Sequence, residues 1–516
     1  MNQQGKRVAE RRIGKIAVAI GLLAAVPAFA GTIFDTGNLV VSVSGCGIFN
    51  GTCTNVPNGT GNGAQNSSVG GYGDNQASPL TLFQFTTAGT YVNSLVLPQA
   101  ASGSNLPVSA EYGSSSEGTL QLSGNGQYLT IMGYGVNDNL FNSMAGVVNS
   151  FSPTGDARLA QSGSLTGQGY TPVARTVALI DNNGNVNSTT GLLNIFNTNN
   201  PRSAYTLDGT NIYVSGQGTG SDATGGVFYT TLGSTNSNNT QITAITGLDT
   251  SGKTLSQDTR DVQIINNTLD ISVDTKGGSN SARSFIGTLG TPPATSLYNS
   301  SNGPTMLTGF GNAGGTGQYL ITATNGNGIN AAGQTINLSP ENYFFASPSV
   351  LYVADDGTPK QTSAPNKQGD GGLQKWVNSK ADGSGTWTLE YTLAAGLPLI
   401  ANTATNGADL DGTTGLYGLT GELVDEHGVE EVELFATNFT ISDLDQTYLY
   451  AVTDPLLATS GAGEAFALLA TAPSDSNFKG VSFAPTADVP TPEPASFALL
   501  GLGLAGLLVR RRRKAA

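Results

Sequence analysis

The chain has 516 residues, of which 11% are charged, and a formal net charge of −14. Twelve of its 22 cationic side chains but 34 of its 36 acidic ones lie between residues 31 and 488, which gives that segment a formal charge of −22. Such an acidic segment repels nucleic acid and anionic lipid, so no nucleic-acid partner is expected.

The N-terminus has the three parts of a secretory signal peptide. A basic region ending at Lys15 precedes an apolar run from Ile16 to Val26. Ala28 and Ala30 then supply the small residues of an A-x-A cleavage site, which favours cleavage over an uncleaved anchor. We therefore predict a signal peptide over residues 1–30 that signal peptidase removes during export.

The use of cysteine and histidine agrees with export. Cys46 and Cys53 are the two cysteines of the chain. In an oxidising compartment this spacing predicts a disulfide that closes a small loop, whereas a metal site would need further ligands nearby. The chain has a single histidine, which excludes histidine-rich zinc or iron sites.

The segment from 31 to 488 is rich in Gly, Asn, Ser and Thr, and its apolar residues recur in short alternating runs. This pattern indicates many strands joined by turns rather than a disordered chain. One frame recurs: an apolar strand, a Gly, Asn or Asp turn suited to positive φ, and a second strand. Its copies begin at Leu122, Leu207, Ile265, Phe345 and Leu410, between 58 and 85 residues apart.

This repeat predicts an all-β fold, a six- or seven-bladed β-propeller over residues 31–488. The spacing exceeds the roughly 40 to 50 residues of familiar blades, and the excess falls in loop-like stretches such as 217–226 and 311–334. A first strand from Asn38 to Val43 and a last strand from Phe478 to Phe483 would complete one sheet and remove the exposed edges. A parallel β-solenoid and tandem β-sandwiches are the alternatives, but neither accounts as directly for the repeated turns.

The body also resembles a group of secreted bacterial propeller-like proteins. The resemblance rests on Gly-Asn-Leu-Val-Val from Gly37 and on Leu-Tyr-Val-Ala-Asp-Asp-Gly from Leu351. It also rests on Gly-Gly-Leu-Gln-Lys-Trp from Gly371 and on Phe-Lys-Gly-Val from Phe478. It implies the propeller fold and no defined activity.

The body contains two kinds of candidate polar site. His427 lies in the acidic, turn-like stretch from Asp425 to Gly428, which is typical of a solvated hairpin tip rather than of a Ser/His/Asp triad. The stretches 409–412 and 181–185 are rich in oxygen ligands, as in calcium loops, but lack the twelfth-position Glu of an EF-hand. Calcium stays open as a cofactor, and no other cofactor is expected.

Three arginines have the chemistry of a substrate-binding site. Arg175, Arg202 and Arg260 each open a candidate strand and could converge on a substrate carboxylate, as in propeller sialidases, because guanidinium forks suit that group. The S-x-D-x-G-x-x-W box of such enzymes is absent. We therefore assign no catalytic residue.

Four aromatic residues allow two interpretations. Phe344, Tyr352, Trp376 and Trp387 could form a platform for sugar rings or protein on one face, or they could fill the core of the sheets. The first alternative predicts exposed rings and the second predicts buried ones.

The C-terminal segment, residues 489–516, has three parts in fixed order. Pro492, Glu493 and Pro494 form a rigid motif, an uncharged run from Ala495 to Val509 follows, and a cationic cluster ends the chain. The cluster consists of Arg510, Arg511, Arg512, Arg513 and Lys514. A helix of fifteen residues is about 22 Å long against roughly 30 Å of hydrocarbon, which argues against an ordinary permanent anchor.

This order of parts resembles the PEP-CTERM sorting tail of exported bacterial proteins. The resemblance implies a C-terminal membrane helix that anchors the chain transiently, with the cationic cluster retained in the cytoplasm. It also implies recognition by an exosortase-type membrane transpeptidase and delivery to the cell surface or an exopolysaccharide matrix.

The sequence thus favours an exported, surface-sorted, non-enzymatic structural or interaction protein of the envelope or matrix, with surface polysaccharide as a candidate partner. The alternative is a secreted propeller hydrolase or lyase that acts on polysaccharide. Carboxylates and arginines that converge in one pocket would favour the enzyme, whereas a pocket lined by Asn, Ser and Gly would favour binding.

Overall fold

The computed structural model of the chain describes residues 32–49, 72–143, 158–219, 223–235, 243–247, 258–274, 284–298, 303–310, 338–357, 371–400, 412–440 and 445–487. The signal peptide, Cys53 and the C-terminal segment lie outside the described residues and stay predictions. Within those residues, no helix combines the length and the apolar character that a membrane crossing requires.

The regular secondary structure of the described residues is almost entirely β-strand, and all of the named strand pairs are antiparallel. One short helix, α1 (Asp138–Ser143), is the exception. The strands, numbered in chain order, form one nine-stranded sheet and four four-stranded sheets. The all-β prediction is confirmed.

The nine-stranded sheet combines the first eight strands with the last one. Its strands are β1 (Leu39–Gly45), β2 (Ala77–Phe85), β3 (Tyr91–Val96), β4 (Ser109–Glu111), β5 (Gln121–Leu122), β6 (Tyr128–Tyr134), β7 (Arg175–Asp181), β8 (Val186–Leu192) and β25 (Ser476–Phe483). The order is β25-β1-β2-β4-β6-β7-β8, with β3 beside β2 and β5 beside β6.

Each of the other four sheets is formed by four strands that are consecutive in the chain and adjacent in space. The first two sheets contain β9 (Pro201–Thr206), β10 (Asn211–Gly216), β11 (Gly226–Thr231) and β12 (Thr243–Ala244), then β13 (Thr259–Ile265), β14 (Thr268–Asp274), β15 (Ser284–Thr288) and β16 (Thr305–Met306). The next two contain β17 (Pro340–Ser347), β18 (Val350–Asp355), β19 (Gly372–Asn378) and β20 (Trp387–Leu393), then β21 (Thr413–Glu426), β22 (Val429–Thr440), β23 (Tyr448–Pro455) and β24 (Ala467–Thr471).

The first and last strands of the described chain pair with each other. In this antiparallel pair Leu39 lies opposite Phe483 and Val41 lies opposite Val481. Both valines are fully buried, in a core cluster that also contains Phe83. The prediction that the two ends of the body complete one sheet is confirmed, and the pairing covers the edge that β1 would otherwise expose.

Six of the described strands contact one another in a closed cycle. These strands, called first strands below, follow the order β25, β5, β9, β13, β17, β21 and back to β25. Side chains join neighbours in the cycle: Ser203 Oγ donates to Asp261 Oδ1 at 2.8 Å, and Gln263 Nε2 donates to the Tyr343 carbonyl at 3.0 Å. The cycle therefore brings together residues that are far apart in the sequence.

The recurring turn lies where the sequence predicts it in four of its five copies. The copies at Leu122, Leu207, Ile265 and Phe345 each join a first strand to the next strand of its sheet. The fifth copy begins at Leu410, outside the described residues, and its Gly412 directly precedes β21. The turn from β21 to β22 is instead made around His427 and Gly428, both with positive φ.

Three of the four aromatic residues belong to the core, and the fourth, Phe344, is partly buried and packs against it. Trp376 is 2% exposed and Trp387 is 4% exposed, and the ring of Trp376 stacks on Phe310 with centroids 4.1 Å apart. Tyr352 is fully buried as well. Burial of this much apolar area stabilises the sheets, and these rings form no surface platform.

Candidate functional site

Three neighbouring first strands carry a charged side chain at the same position. Arg202, Arg260 and Glu341 are the second residues of β9, β13 and β17. Ser203 Oγ donates to Asp261 Oδ1 at 2.8 Å, the Asp261 amide donates to Ser272 Oγ at 3.0 Å, and Ser272 Oγ donates to the Glu341 carbonyl at 2.8 Å. These hydrogen bonds place the second positions of the three strands at one level. The repeat of the fold thus brings charged groups together.

The two arginines are neutralised by carboxylates of the protein. Arg202 Nη2 lies 2.7 Å from Asp258 Oδ1, and Arg260 Nε lies 3.2 Å from the same oxygen. Arg260 Nη1 also lies 2.7 Å from Glu341 Oε1, and Arg260 Nη2 lies 3.4 Å from Asp274 Oδ2. We call these five residues together with Asp356 the central cluster, and each is at most 4% exposed.

Burial and neighbouring charges shift the pKa values of Glu341, Arg260 and Arg202. Burial raises the pKa of the Glu341 carboxyl to about 8, with Asp356 acting in the same direction and Arg260 opposing it. For Arg260, burial alone would lower the pKa, but Asp258 and Glu341 outweigh it and raise the pKa. Burial likewise lowers the pKa of Arg202, with Arg260 acting in the same direction and Asp258 opposing it.

Three members of the central cluster have the donor set of a hard cation. Carboxylate oxygens of Asp274, Glu341 and Asp356 lie within 4.8 Å of one another. Oxygen ligands of this kind suit calcium, magnesium or manganese. Arg260 already contacts two of the three carboxylates, so its guanidinium supplies positive charge at the same place.

Arg175 lies apart from the central cluster. It begins β7, is fully buried, and donates through Nη2 to the carbonyls of Ser162 and Phe196, each at 2.8 Å. The expectation that three arginines converge is therefore correct for Arg202 and Arg260 and wrong for Arg175. The two that meet do so on Asp258 of the protein itself.

A loop before β5 links three first strands beside the central cluster. Lys479 Nζ donates to the Ser114 carbonyl, Arg202 Nη1 donates to the Ser116 carbonyl at 3.3 Å, and Tyr417 Oη donates to the Glu117 carbonyl at 2.9 Å. These donors come from β25, β9 and β21. The loop therefore ties the starts of β25 and β9 to β21.

The calcium-loop candidate at 181–185 forms the turn from β7 to β8. Asp181 Oδ1 accepts from the backbone amides of Asn183 and Asn185, at 2.9 and 2.8 Å, and Oδ2 accepts from Asn185 Nδ2 at 2.7 Å. The carboxylate thus serves the turn itself. Residues 409–411 of the other candidate lie outside the described residues.

Two further predicted sites can be placed in part. His427 lies at the tip of the hairpin between β21 and β22, as expected. Cys46 directly follows β1, and its amide donates to the Asp475 carbonyl at 2.8 Å. Because Cys53 lies outside the described residues, the pairing of the two cysteines stays a prediction.

Sequence reasoning did not single out Asp258, Asp274, Glu341 or Asp356. A signal was available for Glu341. It directly follows Pro340 in the sequence, as Arg202 directly follows Pro201. Aligning the repeated strand-turn-strand frames would have placed Arg202 and Glu341 at equivalent positions. No such signal marks Asp274, which ends a second strand rather than beginning a first one.

Comparisons with known proteins give one sequence match and several distant structural likenesses. Residues 490–513 match the PEP-CTERM protein-sorting motif. The comparison with curated protein sequences gives no match.

Among solved structures, the chain is similar to an oligogalacturonate lyase in complex with manganese, at 9% identity and a TM-score of 0.29, covering 69% of this chain and 73% of that one. It is similar to a Hadza microbial sialidase, Hz136, at 9% identity and a TM-score of 0.32, covering 73% of this chain and 59% of that one. It is also similar to the structure described as Bacteroides ovatus Xyloglucan PUL GH43B, at 11% identity and a TM-score of 0.28, covering 74% of this chain and 60% of that one. TM-scores this low carry no argument about function.

Proposed function

We propose that this chain, which carries a PEP-CTERM protein-sorting motif at its C-terminus, is a non-enzymatic structural or interaction protein of the cell envelope or exopolysaccharide matrix. The motif implies export and recognition by an exosortase. Signal peptidase removes residues 1–30, and the C-terminal helix anchors the chain until the tail is processed. The sorting motif is the observation that carries this proposal.

We further propose that residues 31–488 form a six-bladed β-propeller. The closed cycle of six first strands supports this number, as does the pairing of β1 with β25. In this arrangement β25 begins the sheet that β1, β2 and β3 continue, and β5 begins the sheet of β6, β7 and β8. Each of the other four sheets is one blade.

The pairing within the central cluster supports a non-enzymatic role. A substrate carboxylate that approached Arg202 or Arg260 would have to displace Asp258 or Glu341 from a buried contact, at a cost in desolvation and lost pairing. A surface polysaccharide is therefore proposed as a binding partner rather than as a substrate.

The sorting step is tested by changing Pro492, Glu493 and Pro494 together to Ala in the native host. We expect the unprocessed chain to accumulate in the membrane fraction, while the wild-type chain reaches the surface or the matrix. Gln168→Ala, an exposed change in the body, is the matched control and should be sorted normally. Unchanged processing and location of the triple variant would refute the proposal.

Binding is tested with the mature protein recovered from the surface fraction. Co-sedimentation with polysaccharide isolated from the same cells should deplete the protein from solution, and an unrelated neutral glucan should not. A protein that stays in solution with both polymers would argue against polysaccharide as the partner.

One observation favours the alternative of a polysaccharide hydrolase or lyase. Burial raises the pKa of the Glu341 carboxyl to about 8 beside Asp274 and Asp356, and a carboxyl of raised pKa near a carboxylate suits general acid chemistry. The test is the release of reducing ends or unsaturated products from the host polysaccharide. Activity that Glu341→Gln abolishes would establish this alternative, and no product from the wild-type protein would exclude it for that polymer.

A further inference from the structure

We propose that the tail-anchored chain holds its central cluster on the side of the body that faces away from the membrane. This inference rests on the sorting tail and adds the orientation of the body. The first strands have two ends, which we call the cluster end and the tail end. The cluster end is where β9, β13 and β17 begin, and the tail end is where β25 finishes.

Both termini of the body are attached at one place. The backbone amides of Ile33 and Phe34 donate to the Asn182 carbonyl, each at 3.1 Å. Asn182 Nδ2 donates to the Phe34 carbonyl at 2.5 Å and to the Pro485 carbonyl at 2.8 Å. The buried Asn182 thus holds Phe34, near the N-terminus of the described residues, and Pro485, near their C-terminus, at one point.

This point lies at the tail end. The Thr486 amide donates to the Gly126 carbonyl at 2.7 Å, and the Gly124 amide donates to the Thr206 carbonyl at 3.0 Å. Thr206 is the last residue of β9, and Thr486 lies three residues beyond β25. The turn that contains Gly124 and Gly126 therefore contacts the finishing ends of both first strands.

The central cluster lies at the opposite end of the same strands. Asn477 Nδ2, near the start of β25, donates to the Tyr112 carbonyl at 3.0 Å. Lys479 and Arg202 donate to the nearby carbonyls of Ser114 and Ser116. The starts of β25 and β9 thus share the loop before β5, while their finishing ends share the turn after it.

The connection to the membrane helix is too short to let the body turn over. Eight residue steps separate residue 487 from the predicted helix start at 495, and at full extension they span at most about 28 Å. To bring the cluster end to the bilayer, this connection would have to run along β25, about 23 Å, and outward across a four-stranded sheet, about 14 Å. The tail end consequently faces the membrane and the cluster end faces outward.

The experiment uses the full chain with its uncleaved tail, inserted into phosphatidylcholine vesicles that carry nitroxide-labelled headgroups. Single cysteines are introduced at exposed positions and labelled with a fluorophore that nitroxide quenches. Asn183→Cys and Thr210→Cys report on the tail end, because they lie beside Asn182 and just after β9. Gln168→Cys reports on the cluster end.

Position 168 is placed by two contacts of its segment. Ser164 Oγ donates to the Ile195 carbonyl at 2.7 Å, and the Thr166 amide donates to Asn194 Oδ1 at 3.0 Å. Residues 194–200 lead directly into the start of β9. The wild-type chain, treated with the same reagent, gives the background from the native cysteines.

We expect several-fold stronger quenching at positions 183 and 210 than at position 168, with the melting temperature of each variant equal to that of the wild type. Equal quenching at all three, or stronger quenching at 168, in chains that float with the vesicles would overturn the orientation alone. Chains that fail to float would show that the tail does not anchor, which would overturn the sorting premise as well. Release of the body by proteolysis of the tail should abolish quenching at every position.

Discussion

Lys375 Nζ and Asp454 Oδ2 form an ion pair of 2.8 Å between two neighbouring sheets, and both side chains are fully buried. The ammonium group also donates to Tyr391 Oη at 3.0 Å and to the Pro455 carbonyl at 2.9 Å. Tyr352 and Tyr391 donate to the Asp454 carboxylate. Each charge is therefore paired and hydrogen-bonded, which is the condition under which a buried pair can be tolerated.

Replacement of Lys375 by Met should destabilise the protein by about 3–5 kcal/mol, because Asp454 would remain as a buried charge without its counterion. The free energy of unfolding, measured by urea denaturation, gives this value. Lys380→Met is the matched control, since Lys380 is exposed, and it should change stability by about 0.5 kcal/mol or less. A loss below about 1 kcal/mol for Lys375→Met would mean that the pair does not hold the sheets together.

Stability should fall as the pH rises from about 4.5 to 7, in part through Glu117. Burial raises the pKa of this carboxyl from 4.5 to about 7, against the opposing hydrogen bond from Tyr134. Between pH 4.5 and 7 the folded protein keeps the Glu117 proton, whereas the unfolded chain loses it. The stabilisation is therefore complete below the unfolded-state pKa of 4.5 and is lost as the pH rises through the folded-state pKa of about 7. This shift corresponds to about 3 kcal/mol.

Glu117→Gln keeps the size of the side chain and removes the titration. Urea unfolding at several pH values between 4.5 and 7.5 should therefore give a flatter dependence for the variant than for the wild type. Parallel curves for the two proteins would contradict the assignment of this pH dependence to Glu117.

Gly480→Ala should disrupt the contact of β25 with the loop before β5. A Cβ at this position of β25 would lie 2.3 Å from the Leu120 amide nitrogen and 2.6 Å from the Gly118 carbonyl oxygen, both of them backbone atoms. We expect a loss of more than about 2 kcal/mol, from overpacking that side-chain movement cannot relieve. Gly169→Ala, at an exposed site with no atom within 4 Å of the new Cβ, is the control and should be nearly neutral. Similar melting temperatures for the two variants would sink this prediction.

Arg260→Met should destabilise the protein by about 3–5 kcal/mol, because Asp258, Asp274 and Glu341 would lose their shared counterion. A divalent cation can then replace the missing charge between Asp274, Glu341 and Asp356, whose carboxylate oxygens lie within 4.8 Å of one another. Millimolar manganese or calcium should raise the melting temperature of this variant more than that of the wild type. An equal response of both proteins would show that the guanidinium is not what balances these carboxylates.

The periodic features of the fold were predictable from the sequence, and the reason is local. Turns such as Asp208-Gly209 and Asn266-Asn267 require positive φ, and the residues that tolerate it stand in the sequence. The Asp-Gly pair at 411–412 shows the limit of this signal. Local chemistry marks a turn there, but only the long-range pairing of β21 with β22 decides which strands a turn connects.

The central cluster was predictable only in part. Two of its arginines stand out because cations are rare in the body, whereas Asp258 and Asp274 are two of many acidic residues. Their proximity depends on the order of the first strands in the cycle, which arises from contacts between sheets and has no local sequence signature. The expectation that Arg175 joins the other two arginines was wrong for the same reason. Its guanidinium donates to backbone carbonyls, and no sequence motif marks those partners.

The pairing of β1 with β25 also bears on the order of biogenesis. A polypeptide threaded through a translocon emerges from its N-terminus, so β1 crosses early and must wait for its partner until residues 476–483 have followed. Until then, the edge of β1 that pairs with β25 lacks its hydrogen-bonding partner and is accessible to chaperones of the destination compartment. Because β25 ends shortly before the sorting motif at residues 490–513, the body can complete its fold only when that motif is also about to become available for recognition.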